Sequence, residues 1–212
     1  MINLKILLIV ASMFLVSCVS TSNLPLSKEA QKNLTGKTFV SLEPVKLEKI
    51  GVITPSNALD YSSGSISVVD HGIDTPSYRM ISNLVRVLEK DFNMTYLGVI
   101  ENFNPEIKTS GLSSRNISNA NYIISVETLG SSIIYFPLSW ARYKLAGSIQ
   151  FKLISANGDI VSSAHCPFPV RESSASPTYD QLFIQEAKEL KLLLEEAEKH
   201  CYAEFLGVLG EE

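Results

Sequence analysis

The sequence has few of the residues on which most enzymes and metal sites depend. Its 212 residues include three histidines, three cysteines and one tryptophan. Three histidines give little scope for a catalytic triad, no serine lies in a G-x-S-x-G pattern, and no glycine-rich pattern is typical of a phosphate-binding loop. We therefore predict that the protein is not an enzyme and that it holds no cofactor.

A strong excess of charge of one sign is also absent. The chain has 18 basic and 22 acidic residues, for a net charge of -4, and its basic side chains are scattered. Binding to nucleic acid needs a basic surface that displaces counterions from phosphates. We therefore predict no nucleic-acid partner, and no run of basic residues is typical of a patch for anionic lipids.

A long apolar run lies near the start of the chain. Residues 6–16 carry no charge and follow Lys5, and a run of this length is typical of a signal-peptide core but too short for a stable membrane span. Leu15 stands three residues before Cys18, and the small Ser17 stands directly before it. This pattern resembles the lipobox of bacterial lipoproteins.

The lipobox resemblance implies cleavage before Cys18, which removes residues 1–17, and attachment of lipid to the Cys18 thiol and its new amino group. Several acyl chains make such a membrane anchor hard to reverse. Val19 is not the aspartate that often retains lipoproteins in the inner membrane, so we expect the periplasmic face of the outer membrane. An ordinary secretory signal and an uncleaved anchor are the alternatives.

The residues after Cys18 have the composition of a linker. Residues 18–36 are polar, rich in small side chains and without a sustained period, so we predict a flexible tether there, with folding starting near Lys37. Residues 37–212 are long enough to bury a core without metals, and we predict a single domain over them. Without residues 1–17 the chain keeps 17 basic against 22 acidic residues, a net charge of -5.

The two remaining cysteines, Cys166 and Cys201, allow one intramolecular disulfide in an oxidising compartment. His165 and His200 each precede one of them, which also raises a zinc site as a hypothesis. Neighbouring residues on a strand or a helix point in different directions, so four ligands would not converge easily. A disulfide is the leading prediction, and two free thiols or a metal site are the alternatives.

Periodic segments alternate between strand and helix types along the first part of the chain. Buried strands are predicted over residues 49–55, 95–100 and 121–129, with an edge strand over residues 38–42. Ser77 is the predicted cap of an amphipathic helix. Its apolar residues recur at helical spacing: Tyr78, Ile81, Leu84, Val85, Leu88 and Phe92.

Two further patterns predict a long hairpin and a second helix. Residues 140–154 alternate between apolar and polar, and the Asn-Gly pair at residues 157–158 is a strong hairpin signal that returns the chain through residues 160–166. Residues 179–206 predict a helix that brings Cys201 near the last strand. The predicted fold class is therefore α/β, or α+β, with a mixed sheet, a long antiparallel hairpin and two main helices packed on it.

Five segments occur in the order KIGVITP, YRMISNLVRVLEKDF, TYLGVIE, NANYIISVETL and RYKLAGSIQFKLISANGDIV. Together they resemble, over residues 48–165, the domain shared by the curli secretion lipoprotein, the lipoprotein activators of penicillin-binding proteins and the amino-terminal domain of TolB. Gly158 matches the turn glycine of that group's strand pair, and residues 119–123 match part of its third element. The resemblance implies an α/β envelope domain, and no catalytic residue belongs to its pattern.

Two groups of polar residues are candidates for chemistry. Asp70, His71 and Asp74 bring ligand-type side chains together in one loop, but nothing in the sequence fixes their orientation, so we interpret them as a solvated turn. Glu195 and Glu196 are interpreted as part of the water-facing side of the last helix.

The segment IIYFPLSW, residues 133–140, concentrates large apolar side chains around Pro137. It is either a continued strand that folds over the core or an exposed connection. An exposed aromatic patch usually marks a partner surface, and in that case Tyr135, Phe136 and Trp140 are the predicted partner-binding residues.

The sequence thus favours a noncatalytic, lipid-anchored protein of the cell envelope. Its predicted role is to bind another envelope component for assembly, scaffolding or regulation. The alternative is a periplasmic carrier or chaperone for an apolar ligand held between the sheet and the helices.

Overall fold

The structure is a computed structural model that describes residues 23–44, 49–58, 67–70, 75–101, 119–183 and 187–210. Its strands are β1 Thr38–Leu42, β2 Lys49–Ile53, β3 Ser67–Asp70, β4 Thr95–Ile100, β5 Tyr122–Phe136, β6 Ser139–Ser155 and β7 Ile160–Pro167. Its α-helices are α1 Lys28–Leu34, α2 Pro76–Lys90, α3 Tyr179–Phe183 and α4 Lys188–Leu209, with a 3-10 turn at Ser173–Ala175.

The seven strands form one mixed sheet organised around the long strand β5. One edge of β5 pairs with antiparallel β6 along almost its whole length. The other edge pairs with parallel β1 near its start, where Phe39 lies opposite Tyr122, and with parallel β2 near its end, where Val52 lies opposite Ile133. The outer strands are β4, β3 and β7. This arrangement confirms the predicted mixed sheet and its long hairpin.

One detail of the predicted sheet is wrong. β1, predicted as an edge strand, lies between β5 and β4. The difference arises because β5 is long enough to pair with both β1 and β2 along one edge.

Helix α2 lies on the sheet through one apolar stripe. Leu84 and Leu88 are fully buried on it, as the helical spacing predicts, and Met80, which is outside the predicted stripe, is fully buried as well. The N-cap is Thr75 rather than Ser77, because Pro76 occupies the first turn, where its missing N–H costs nothing. The side chain of Ser77 instead accepts a hydrogen bond from the Thr128 hydroxyl at 3.0 Å.

The predicted last helix is two separate helices, α3 and α4. Ala187 precedes α4 with a left-handed backbone at φ 57°, a conformation that interrupts an α-helix. The two helices share an apolar inner face, whose buried residues are Leu182, Leu190, Leu193, Ala197, Cys201 and Phe205.

The segment before Lys37 belongs to the folded domain. Leu24 pairs with Ser163 of β7, the Ser27 side chain caps α1, and Leu26 and Leu34 are buried. The predicted start of folding near Lys37 is therefore wrong, and any tether ends by Leu24. The segment is polar on average. Its few buried apolar residues are too widely spaced to form a long periodic pattern in the sequence.

A disulfide joins Cys166 on β7 to Cys201 on α4, with their Cα atoms 5.5 Å apart. Both residues are buried. The leading prediction for this pair is confirmed, and the bond fixes α4 against β7.

Candidate functional site

The β5–β6 hairpin ends in the aromatic segment at residues 133–140. Pro137 and Leu138 connect the two strands. Tyr135 lies opposite Tyr143, and the register then shifts, so that residues 140–142 bulge out of the ladder. A bulge of this kind changes the direction of side chains at the end of a hairpin. We call residues 135–140 the hairpin tip.

The hairpin tip exposes two large apolar side chains. Leu138 is 99% exposed and Trp140 is 68% exposed. The indole Nε1 of Trp140 donates a hydrogen bond to the carbonyl oxygen of Pro137. Because this N–H is the only donor on the indole, a partner can cover the ring without leaving an unpaired polar group.

The other two predicted partner-binding residues are half-buried and form the base of the tip. Tyr135 packs against the main core, and the ammonium of Lys144 lies 5.6 Å from the centre of the Phe136 ring, within the range of a cation–π contact. The segment is therefore both a continued strand and an exposed connection. Leu138, its most exposed residue, was missed, although its place after Pro137 between two strands is a turn signal.

The stretch before α3 supports the hairpin just below the tip. The Arg142 guanidinium donates to the carbonyl of Ser176 at 2.8 Å, and the amide of Tyr143 donates to the carbonyl of Pro177 at 2.9 Å. The rings of Tyr143 and Tyr179 meet edge to face with centroids 5.8 Å apart. Burial raises the pKa of Tyr143, and the neighbouring Tyr179 raises it further. The Tyr143 phenol is therefore neutral where it packs against Tyr179.

Along the hairpin itself, the charge near the tip is of one sign. Between Thr128 and Ile149 the only charged residues are Arg142 and Lys144, both basic. An apolar tip with a basic base is complementary to a hydrophobic pocket with an acidic rim.

The other sequence candidates lie elsewhere. Cys18, His71 and Asp74 are outside the described residues. Glu195 lies 3.8 Å from Arg79, and Glu196 pairs with Arg171. Both pairs are at the surface, in agreement with a solvated helix face.

Within the described ranges, no three His, Cys, Asp or Glu side chains are grouped as metal ligands would be. The imidazole of His165, next to one half-cystine, lies 2.9 Å from the hydroxyl of Ser148. None of the helices in the described part of the chain has the length and apolar character needed to cross a membrane.

No family model matches the chain, and no curated protein matches it. Solved structures that are similar to it include the following three. Protein XCC0632 from Xanthomonas campestris, of family DUF330, is 14% identical over 82% of this chain and 84% of that chain, with a TM-score of 0.44. The PelC dodecamer from Paraburkholderia phytofirmans is 13% identical over 90% and 96%, with a TM-score of 0.40. Lipoprotein GNA1162 from Neisseria meningitidis is 13% identical over 76% and 99%, with a TM-score of 0.29. At these values the similarities carry no argument about what this chain binds.

Proposed function

We propose that this chain is a noncatalytic, lipid-anchored protein of the cell envelope that binds another envelope protein through its hairpin tip. The role is one of assembly, scaffolding or regulation. The observation that carries the proposal is the exposure of Leu138 and Trp140 on a hairpin whose base is fixed. Tryptophan in such a position is typical of residues that dominate binding energy.

The proposed anchor is acyl lipid on Cys18, after cleavage of residues 1–17, at the periplasmic face of the outer membrane. The lipobox pattern supports this anchor, and the likeness of five segments to the curli secretion lipoprotein, the penicillin-binding-protein activators and TolB supports an envelope role. Labelling cells with an alkyne fatty acid tests the anchor. The wild-type chain should take up label and Cys18→Ser should not; label on neither chain contradicts the anchor.

The geometry allows the tip to reach a partner protein beyond the anchoring membrane. The side chain of Asn23 accepts a hydrogen bond from the amide of His165, which lies opposite Gln150 of β6. From Gln150 to Leu138 the strand extends by up to about 40 Å. A segment from Cys18 to Asn23 spans at most about 18 Å, so the tip can project well beyond the reach of the anchor.

The alternative role, carriage of an apolar ligand, has no specific support. That ligand would lie between the sheet and the helices. Fully buried side chains already pack in that layer, namely Phe39, Met80, Leu84, Phe151 and Phe205.

Photocrosslinking in living cells tests the proposal. A photoreactive amino acid replaces Leu138, and the matched control carries it at Ile160 of β7. Ile160 is 46% exposed and pairs with Ile154, at the end of β6 that lies far from the tip. We expect one reproducible protein adduct from position 138, absent from position 160 and lost when Cys18→Ser mislocalises the chain. An adduct with lipid alone, or no adduct from position 138, contradicts the proposal.

A further inference from the structure

A surface groove lies between α2 and the neighbouring strands β1 and β4, away from the hairpin tip. Its volume is about 470 Å³. The α2 wall is formed by Tyr78, Ile81, Val85 and Glu89, which recur at helical spacing on one face. From Tyr78 to Glu89 the helix rises by about 16 Å, the length of about five residues of extended chain.

The strand that forms the other wall has an open edge. Among the described strands, β4 pairs only with β1, so alternate N–H and C=O groups on its outer side have no strand partner. Leu97 and Val99 on this strand are 47% and 55% exposed. An open edge with apolar side chains is a template for the addition of another strand.

A bulge directs two side chains of β4 into the groove. Tyr96 lies opposite Phe39 and Val99 lies opposite Ser41, with a register shift between them. Gly98 lies at this shift with φ +124°, a conformation that favours glycine. Both Tyr96 and Val99 consequently line the groove.

The polar side chains at the floor of the groove already form a hydrogen bond with each other. Ser41 is 1% exposed, and its hydroxyl lies 2.7 Å from that of Tyr96. These hydroxyls therefore need no hydrogen bond from a ligand. Selectivity between ligands must come from the residues at the rim of the groove.

The rim is acidic. Glu43, Glu89 and Glu101 line the groove together with one cation, Arg86. In the part of the chain that the structure describes, the ion pairs are those of Arg79 and Arg171, and none involves these four residues. Three carboxylates against one guanidinium favour basic side chains in the occupant.

We propose that an extended basic segment of a partner protein adds to the outer edge of β4. Its backbone bonds to the open edge, and its basic side chains point to the groove side and meet the glutamates of the rim. Its alternate apolar side chains point to the opposite face of the sheet, beside the exposed Leu97. This site is separate from the hairpin tip and does not depend on the role proposed for the tip.

Three synthetic peptides test the inference on full-length protein purified in detergent micelles. The first is acetyl-Lys-Val-Lys-Val-Lys-Val-Lys-amide, the second has glutamate in place of lysine, and the third is the basic peptide with alternate backbone amides N-methylated. Fluorescence anisotropy of labelled peptides gives the affinities. We expect the basic peptide to bind at least roughly tenfold more tightly than either of the others.

Two charge-reversal variants complete the test. Glu89→Lys should weaken binding of the basic peptide, whereas Glu204→Lys, on the exposed side of α4, should leave it unchanged. Equal binding of the basic and acidic peptides, or equal effects of the two variants, would overturn the proposed site. Binding that N-methylation does not weaken would overturn strand addition.

Discussion

The backbone amide of Leu26 donates a 2.8 Å hydrogen bond to the carbonyl of Val208. The side-chain amide of Gln31 likewise donates to the carbonyl of Leu209 at 3.0 Å. The last carbonyls of a helix have no partner within that helix. The segment before β1 therefore completes the C-terminal end of α4, and the domain depends on it.

Replacement of Leu34 by alanine should destabilise the domain. Leu34 is 0% exposed, so truncation leaves a cavity and should lower the free energy of unfolding by about 2–4 kcal/mol. Leu24→Ala is the control, because Leu24 is 44% exposed and pairs through its backbone. Urea unfolding followed by circular dichroism measures both variants. Equal effects of the two substitutions would mean that the segment is not part of the core.

Loss of the Cys166–Cys201 disulfide should lower the free energy of unfolding, because the unfolded chain gains conformational entropy when the bond is absent. The bond closes a loop with a sequence separation of 35, and release of such a loop costs about 4 kcal/mol in the chain-entropy model. The double variant Cys166→Ala/Cys201→Ala should unfold at lower urea than the oxidised wild type. A reductant should destabilise the wild type and leave the double variant unchanged. Two titratable thiols in denatured, unreduced wild type would contradict the bond.

Gly147 should not tolerate a side chain. A Cβ atom there would lie 2.3 Å from the Gly130 carbonyl oxygen and 2.7 Å from the Phe168 ring. Overpacking of this kind costs about 1–3 kcal/mol. Gly207→Ala is the matched control, since a Cβ there has no heavy atom within 4 Å and alanine gains about 0.5–1 kcal/mol inside a helix. The two variants should therefore shift the urea midpoint in opposite directions, and a shift in the same direction would refute this packing.

Glu198 should make stability depend on pH in an unusual direction. Burial raises its pKa, against the opposing effect of the Arg79 guanidinium, whose Nε lies 3.1 Å from the carboxylate. Because the folded state then binds the proton more tightly, this group's contribution is complete below the unfolded pKa and is lost as the pH rises through the folded pKa.

Glu198→Gln removes this dependence. Between about pH 3.5 and pH 7 the wild type should lose stability relative to Glu198→Gln, measured by urea unfolding at each pH. Glu204→Gln on the exposed side of α4 controls for the general effect of removing a carboxylate. A wild type that gains stability relative to Glu198→Gln over this range would contradict the assigned shift.

Local chemistry was enough to predict the last hairpin. The alternation along β6 predicted a buried face, and Tyr143, Leu145, Ile149, Phe151 and Leu153 are all buried there. Gly158 has φ 91°, as its place in the Asn-Gly turn requires. Periodicity and turn chemistry act over a few residues, so a single sequence displays them.

The extension of β5 could not be predicted in the same way. The strand was predicted to end at Leu129, because a glycine and two serines follow and this combination usually predicts a turn. The glycine, Gly130, does have a positive φ of 72°. Pairing with β6 nevertheless continues to Phe136, because a long partner strand overrides local preference. The same long-range pairing determines the tip, where the bulge exposes Trp140 while Phe136 stays half-buried beneath Lys144.

Recovery of proteins with the tagged chain from cell membranes tests the docking role of the tip most directly. Wild type is compared by quantitative mass spectrometry with Leu138→Ser/Trp140→Ser, and with Ile160→Ser/Val170→Ser, which alters two exposed apolar residues elsewhere. We expect one envelope protein to be recovered with the wild type and the control but to be depleted at least about tenfold with the tip variant, as loss of a binding hot spot implies. Equal recovery of every envelope protein with all three chains would contradict the docking role of the tip.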